Sequence, residues 1–285
     1  MKNLNVRANY VLALLISGFA FTACTSNEST DLETQEFDAT EVVLSAEIDE
    51  ATALLDDVII EVYEGEESNL SGRSANPESR PPHSLPDCVT ITVVIEQGFR
   101  EVTINFGSEG CVVRGQLLKG KIIMTYERDF EAQERLINYV LEDFYFNAKN
   151  IIGSKTILKQ HANENGNPQF THTLDLTVIW PDGTEASREG MKVREWVEGH
   201  GSGIFSDNVF EVTGYWTSNF VNGNMHRYEV IIPLRREVIC RYFVSGSVDV
   251  EKTNYSGIFD YGEGDCDNQA TFTFEDGTVR AITLN

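Results

Sequence analysis

Hydrophobic positions along this chain change their period twice. Residues 11–21 form an apolar run. Between residues 41 and 63, Leu44, Ile48, Ala51, Leu55, Val58, Ile59 and Val62 recur at three- and four-residue steps, the spacing of one helical face. An amphipathic helix over 41–64 is predicted, packing against its own body. From Asp87 to the end the step becomes two. The clearest case has Phe170, His172, Leu174, Leu176, Val178 and Trp180 alternating with Thr171, Thr173, Asp175, Thr177 and Ile179, as in a strand with one buried face.

Similar alternation occurs over 89–95, 102–106, 121–126, 136–146, 155–161, 191–197, 209–220, 226–232, 242–250, 256–261, 270–274 and 279–284. Turn-forming sequences separate most of these runs, among them Asn165-Gly166, Asp182-Gly183, Asn222-Gly223 and Asp276-Gly277. Asn-Gly and Asp-Gly supply the positive φ angles of tight hairpins. The expectation is an all-β body over 87–285: a long-stranded antiparallel meander of about thirteen strands forming a curled sheet, a sandwich or an open barrel. Gly120, Gly214 and Gly246 each follow an apolar-polar pair inside a run. They read as bends or bulges, not as a site.

Ahead of the body, the apolar run follows Lys2 and Arg7 and ends in Phe21-Thr22-Ala23-Cys24. A positive start, a core too short to span a bilayer and a small-residue cleavage site describe a signal peptide over 1–23. The last four residues resemble a lipobox, whose cysteine is acylated and becomes the new N-terminus. The resemblance implies lipid attachment, such as palmitate, at Cys24, and two or more acyl chains anchor stably where one does not. Residues 24–40 read as a polar, acidic tether and 65–86 as a Pro/Ser-rich linker. Both are expected to be disordered. No other segment is long and apolar enough to cross a membrane, so the body is expected to be soluble.

Charge narrows the function. The formal net charge is −23, and processing at Cys24 removes Lys2 and Arg7 to leave it more acidic still. Residues 25–72 hold 15 acidic side chains and no Lys or Arg. Nucleic-acid binding, which needs clustered cations, is excluded as a reading. Glu28 and Asp31, soon after Cys24, resemble a sorting signal of Bacteroidota-type surface lipoproteins. An outer-membrane address is therefore expected, on the periplasmic or the cell-surface face.

With Cys24 lipidated, Cys88, Cys111, Cys240 and Cys266 remain, an even number that allows three pairings. Cys88 and Cys240 each open an outgoing strand, and Cys111 and Cys266 each follow the returning one, so Cys88–Cys111 and Cys240–Cys266 are predicted. No pair has zinc-type spacing. No metal or cofactor is expected.

Catalytic signatures are missing: no nucleophile elbow, phosphate loop or zinc-protease motif occurs. Glu195 and Glu198 are the best acid-base candidates, but residues three apart on a strand point to opposite faces. His172 lies on an apolar face and reads as a core histidine. The acidic run Asp260, Glu263, Asp265 and Asp267 could offer oxygens to calcium, yet it lacks an EF-hand pattern and reads as a solvated loop. Trp180, Trp196, Trp216, Tyr215 and Tyr242 could stack on a sugar or peptide. Alternation sends Trp216 with Phe210 and Phe220 to the core and Tyr215 outward.

Residues 87–285 resemble an uncharacterised family of Flavobacteria-type (Bacteroidota) lipoproteins. The resemblance rests on Pro86-Asp87-Cys88-Val89-Thr90, residues 164–169, Trp180-Pro181-Asp182-Gly183-Thr184, Arg194-Glu195-Trp196, Pro233-Leu234-Arg235-Arg236, Cys240-Arg241-Tyr242-Phe243-Val244-Ser245-Gly246 and Gly264-Asp265-Cys266-Asp267-Asn268. It implies an address and no activity. The reading is a non-catalytic binding or structural lipoprotein of the envelope, its partners a membrane through the lipid and a polysaccharide or protein. An envelope hydrolase whose residues converge from separate strands is the alternative.

Overall fold

The computed structural model describes residues 39–70 and 84–285, apart from 97, 128, 130, 131, 253 and 254. The expected signal peptide, Cys24, nearly all of the expected tether and most of the expected linker lie outside the described residues. The described chain opens with one long helix, α1 (Thr40–Leu70). The helix is six residues longer at its C-terminus than the apolar period predicts. Glu64, Glu66 and Glu67 stand at that end, where acidic groups oppose the helix dipole. Each has a cation from the sheet beside it: Lys159, Arg100 and Arg135.

Thirteen strands follow, in the order expected: β1 (Thr90–Glu96), β2 (Phe99–Val113), β3 (Gln116–Glu127), β4 (Glu134–Phe146), β5 (Lys149–Gln160), β6 (Gln169–Ile179) and β7 (Glu185–Glu198). The rest are β8 (Val209–Phe220), β9 (Met225–Glu237), β10 (Ser245–Lys252), β11 (Tyr255–Glu263), β12 (Gln269–Phe274) and β13 (Val279–Thr283). They form one antiparallel sheet in which spatial order equals chain order. Tight turns join most neighbours, so each strand meets the next directly. The sheet is not closed, and β1 and β13 are its edges.

Glycines bend it. Gly120, Gly214 and Gly246 have φ of 81°, 126° and 101°, and the strand register shifts at all three. A Cβ there would collide with the carbonyl oxygens of Asp143, Met191 and Pro233 on the neighbouring strands. Such bulges increase local twist and curl a sheet. The curl is deep enough that Arg114, between β2 and β3, places its guanidinium 5.2 Å from the ring of Phe205, between β7 and β8.

Two disulfides, Cys88–Cys111 and Cys240–Cys266, hold the β1–β2 and β10–β11 hairpins, with Cα–Cα distances of 5.8 and 5.3 Å. In the chain-entropy account, loops of this length constrain the unfolded chain by about 3 kcal/mol each.

The curled sheet wraps α1. Ile48, Leu55, Val58, Ile59 and Val62 join Ile104, Phe106, Met124, Tyr139, Phe144, Ile157 and Phe170 in one core. Burial of each such side chain contributes roughly 1.5–3 kcal/mol. The helix differs from the expectation of a single buried face. Asp49, Glu50, Thr52, Asp56, Asp57 and Glu61 on its polar side are buried too.

Candidate functional site

Period-two alternation decides which strand residues face the helix, and here it sorts charge by sign. Inward positions carry Lys155 and Lys159 on β5, Arg188, Lys192 and Arg194 on β7, and Arg236 on β9, all buried. Outward positions carry Glu101, Glu142, Asp175, Glu189, Glu211 and Glu229, all exposed. The lining of the sheet is therefore cationic and its outer face anionic. The helix inside has no Lys or Arg between Glu41 and Glu67, and each of its carboxylates meets a cation.

Three aspartates form the centre. Asp49 accepts hydrogen bonds from Arg188, from Lys192 Nζ at 2.7 Å and from Tyr261 at 3.2 Å. Asp56 accepts from Lys155 Nζ at 2.6 Å and Tyr139 at 3.4 Å, with His172 Nδ1 at 3.4 Å. Asp57 lies between Arg194 at 2.5 Å and Arg236 at 2.7 Å. Burial opposes ionisation of Asp49 and Asp57. Nearby cations, led by Arg188 and Lys192 for Asp49 and by Arg236 and Arg194 for Asp57, nevertheless hold both below the usual carboxylate range. Burial brings Lys192 down to about 8 against the pull of Asp49, and it lowers Lys155 and His172 as well.

At the helix N-terminus, Glu41 takes Lys252 Nζ at 2.8 Å, His226 Nε2 at 2.6 Å and the side-chain amides of Asn222 and Asn224 at 2.7 Å. Burial pushes its carboxyl up, but these hydrogen bonds together bring it down to about 2. Glu50 is raised by burial despite its pairing with Arg241. Trp180 donates Nε1 to Glu47 at 2.7 Å.

This array resembles acid-base machinery in composition but not in access. The void beside Asp56, Lys192 and Arg194 measures about 10 Å³, at or below the space one water needs. Paired buried charges of this kind specify how two elements fit together.

Of the titratable sequence candidates, one belongs to it. His172 is fully buried and belongs to the Asp56 cluster. Glu195 accepts from Asn165 and Asn167 at the β5–β6 turn, whereas Glu198 pairs with Arg235. The two carboxylates serve separate partners. Asp260 accepts from Ser247 and from the Gly262 N–H, and Asp267 from the Gln269 N–H. Among the described residues, the one cluster of metal-type ligands is Glu237, Cys240 and Cys266, and its cysteines are joined in the disulfide. Trp180, Trp196, Trp216 and Tyr242 are buried, while Tyr215 is exposed.

Two larger clefts open to solvent among the described residues. One, of about 350 Å³, crosses the outer face of β8–β10 beside Tyr215, Arg227, Glu229 and Asp249. The other, of about 260 Å³, lies between the C-terminal half of α1 and the loop joining β7 to β8. Comparisons with protein families, characterised proteins and solved structures find no match.

The charge sorting escaped the reading of the sequence, although its signal was present. A helical stretch with only acidic charges precedes strands that carry Arg188, Lys192 and Arg194 at alternate positions. Looking for apolar alternation hides such a strand, because its buried face is itself charged.

Proposed function

We propose that this protein is a non-catalytic binding or structural lipoprotein of the cell envelope, anchored to the outer membrane through Cys24. One observation carries the non-catalytic part. The aspartates that converge at the centre of the body, Asp49, Asp56 and Asp57, are consumed by pairing α1 to the sheet, and the void beside Asp56 is about 10 Å³, too small for a substrate. The address rests on Lys2, Arg7, the apolar run and Cys24, and on the resemblance to flavobacterial lipoproteins. Two disulfides suit an oxidising compartment. No helix among the described residues is long and apolar enough to cross a membrane, so attachment in this account falls to the lipid.

Metabolic labelling with palmitate tests the anchor. Wild-type protein is expected to take up label and fractionate with membranes, and Cys24→Ala to do neither; a labelled Cys24→Ala variant refutes the site. For the non-catalytic part, purified protein is offered ester, peptide and glycoside substrates. Turnover that survives repurification overturns it.

A further inference from the structure

The cleft at the C-terminal half of α1 has features the packing of the fold does not require. One wall is the helical stripe Glu61, Glu64 and Gly65; the other is the loop 199–204. Gly65 sits inside a helix, where glycine is disfavoured relative to alanine, and it lines the cleft. In the opposing loop Gly199, Gly201 and Gly203 have φ of 83°, 80° and 83°, so a bare backbone forms much of that wall. Any side chain at Gly199 would run into Asn208 Oδ1. Asn208 is 2% exposed, lines the cleft, and its Oδ1 has no hydrogen-bond partner.

Glu61, Glu64 and Asn208 Oδ1 offer acceptors here, beside Ser68, Ser202 and His200, which can also donate. Glu61 and Glu64 are already charge-balanced by Arg114 and Lys159, so a cation is not required. Their remaining lone pairs and Asn208 Oδ1 call for hydroxyl or amide donors. Apolar surface comes from Trp196, with His200 packed edge-on at 4.8 Å, and from Phe205. At about 260 Å³ the cleft is below the roughly 300–1,000 Å³ of drug-sized sites and suits a single ring. We propose that this cleft binds one neutral, hydroxyl-rich ring, a sugar residue at the end or in the branch of a polysaccharide. The inference rests on the binding-module reading and supplies the class of its ligand.

The test uses the full chain and NMR, with glucose, galactose and N-acetylglucosamine as probes and ethanolamine as the cationic control. At least one sugar is expected to bind at about 10 mM or below, with amide shifts confined to residues 61–68 and 199–208. Gly65→Leu introduces a good helix former and places a side chain in the cleft; it is expected to weaken binding at least about tenfold without lowering the melting temperature. His200→Ala, at an exposed position, is expected to weaken it about threefold and carries the test if Gly65→Leu proves unstable. The site is overturned if no sugar binds, if shifts map elsewhere, if ethanolamine binds instead, or if neither variant alters affinity. Hydrolysis of a bound oligosaccharide would overturn the non-catalytic reading and leave the site standing. Absence of binding removes the site alone.

Discussion

Asp57 accepts hydrogen bonds from two guanidinium groups at once, and its side chain is wholly buried with Arg194 and Arg236 on either side. Removing one partner of a buried pair leaves the others charged, desolvated and unmatched. Asp57→Ala is therefore expected to cost about 3–5 kcal/mol, read from urea unfolding, whereas Glu195→Gln at a turn is expected to stay within about 0.5 kcal/mol. A loss under about 1 kcal/mol for Asp57→Ala would mean that water reaches the pair. Glu41 gives the pH dependence. Its folded carboxyl lies near 2, below its unfolded value of about 4.3, so its contribution is present above the unfolded value and disappears as pH falls toward 2. Asp49 and Asp57 act in the same direction. Glu50, raised by burial, acts oppositely and favours folding as it gains a proton. Circular dichroism during acid titration should show helix and sheet signals lost together below about pH 4; an acid-stable protein at pH 2 would contradict the assignment.

Among the elements, the glycine bends and hairpin clasps shape the trough that receives α1. Gly214→Ala is expected to destabilise by more than the usual surface change, because its φ of 126° and the Met191 carbonyl both exclude a Cβ. Paired replacement of Cys240 and Cys266 by serine is expected to lower stability by about 2–5 kcal/mol without changing the strand order; both are measured by thermal melting. Much at this scale was legible beforehand. All thirteen strands, both disulfides and the three glycine bends follow from period-two alternation, cysteine placement and glycine position. Strand β7 was legible only in part: alternation finds its second half, yet it begins at Glu185, because Arg188 on its buried face reads as solvent-facing. The burial of the helix's polar side is illegible for the same reason, since each carboxylate's partner lies far along the chain, as with Arg114 for Glu61 and Lys252 for Glu41, and leaves no local trace. The cleft offered only Gly65 and the spaced glycines after Glu198 as hints, and neither carries chemistry without the opposing wall.

For the whole molecule, an acidic chain folds by placing its cations inside. Arg188, Lys192, Arg194, Arg236, Lys155 and Lys159 face the helix, and the outer face is left anionic. Such a surface repels anionic lipid, which suits the lipid-anchored placement proposed above. Because the pairs are buried, salt screens them little; raising NaCl from about 0.1 to 1 M is expected to leave the melting temperature nearly unchanged. A fall of many degrees would place the pairs in water. The helix is thus an integral part of the core and not an appended arm, and native-state hydrogen exchange measures that most directly. Amides between residues 45 and 63 should exchange only through global unfolding, with the same free energy as those of β6 and β7. Exchange of α1 at the rate of a solvated helix, while the strands stay protected, would contradict the account.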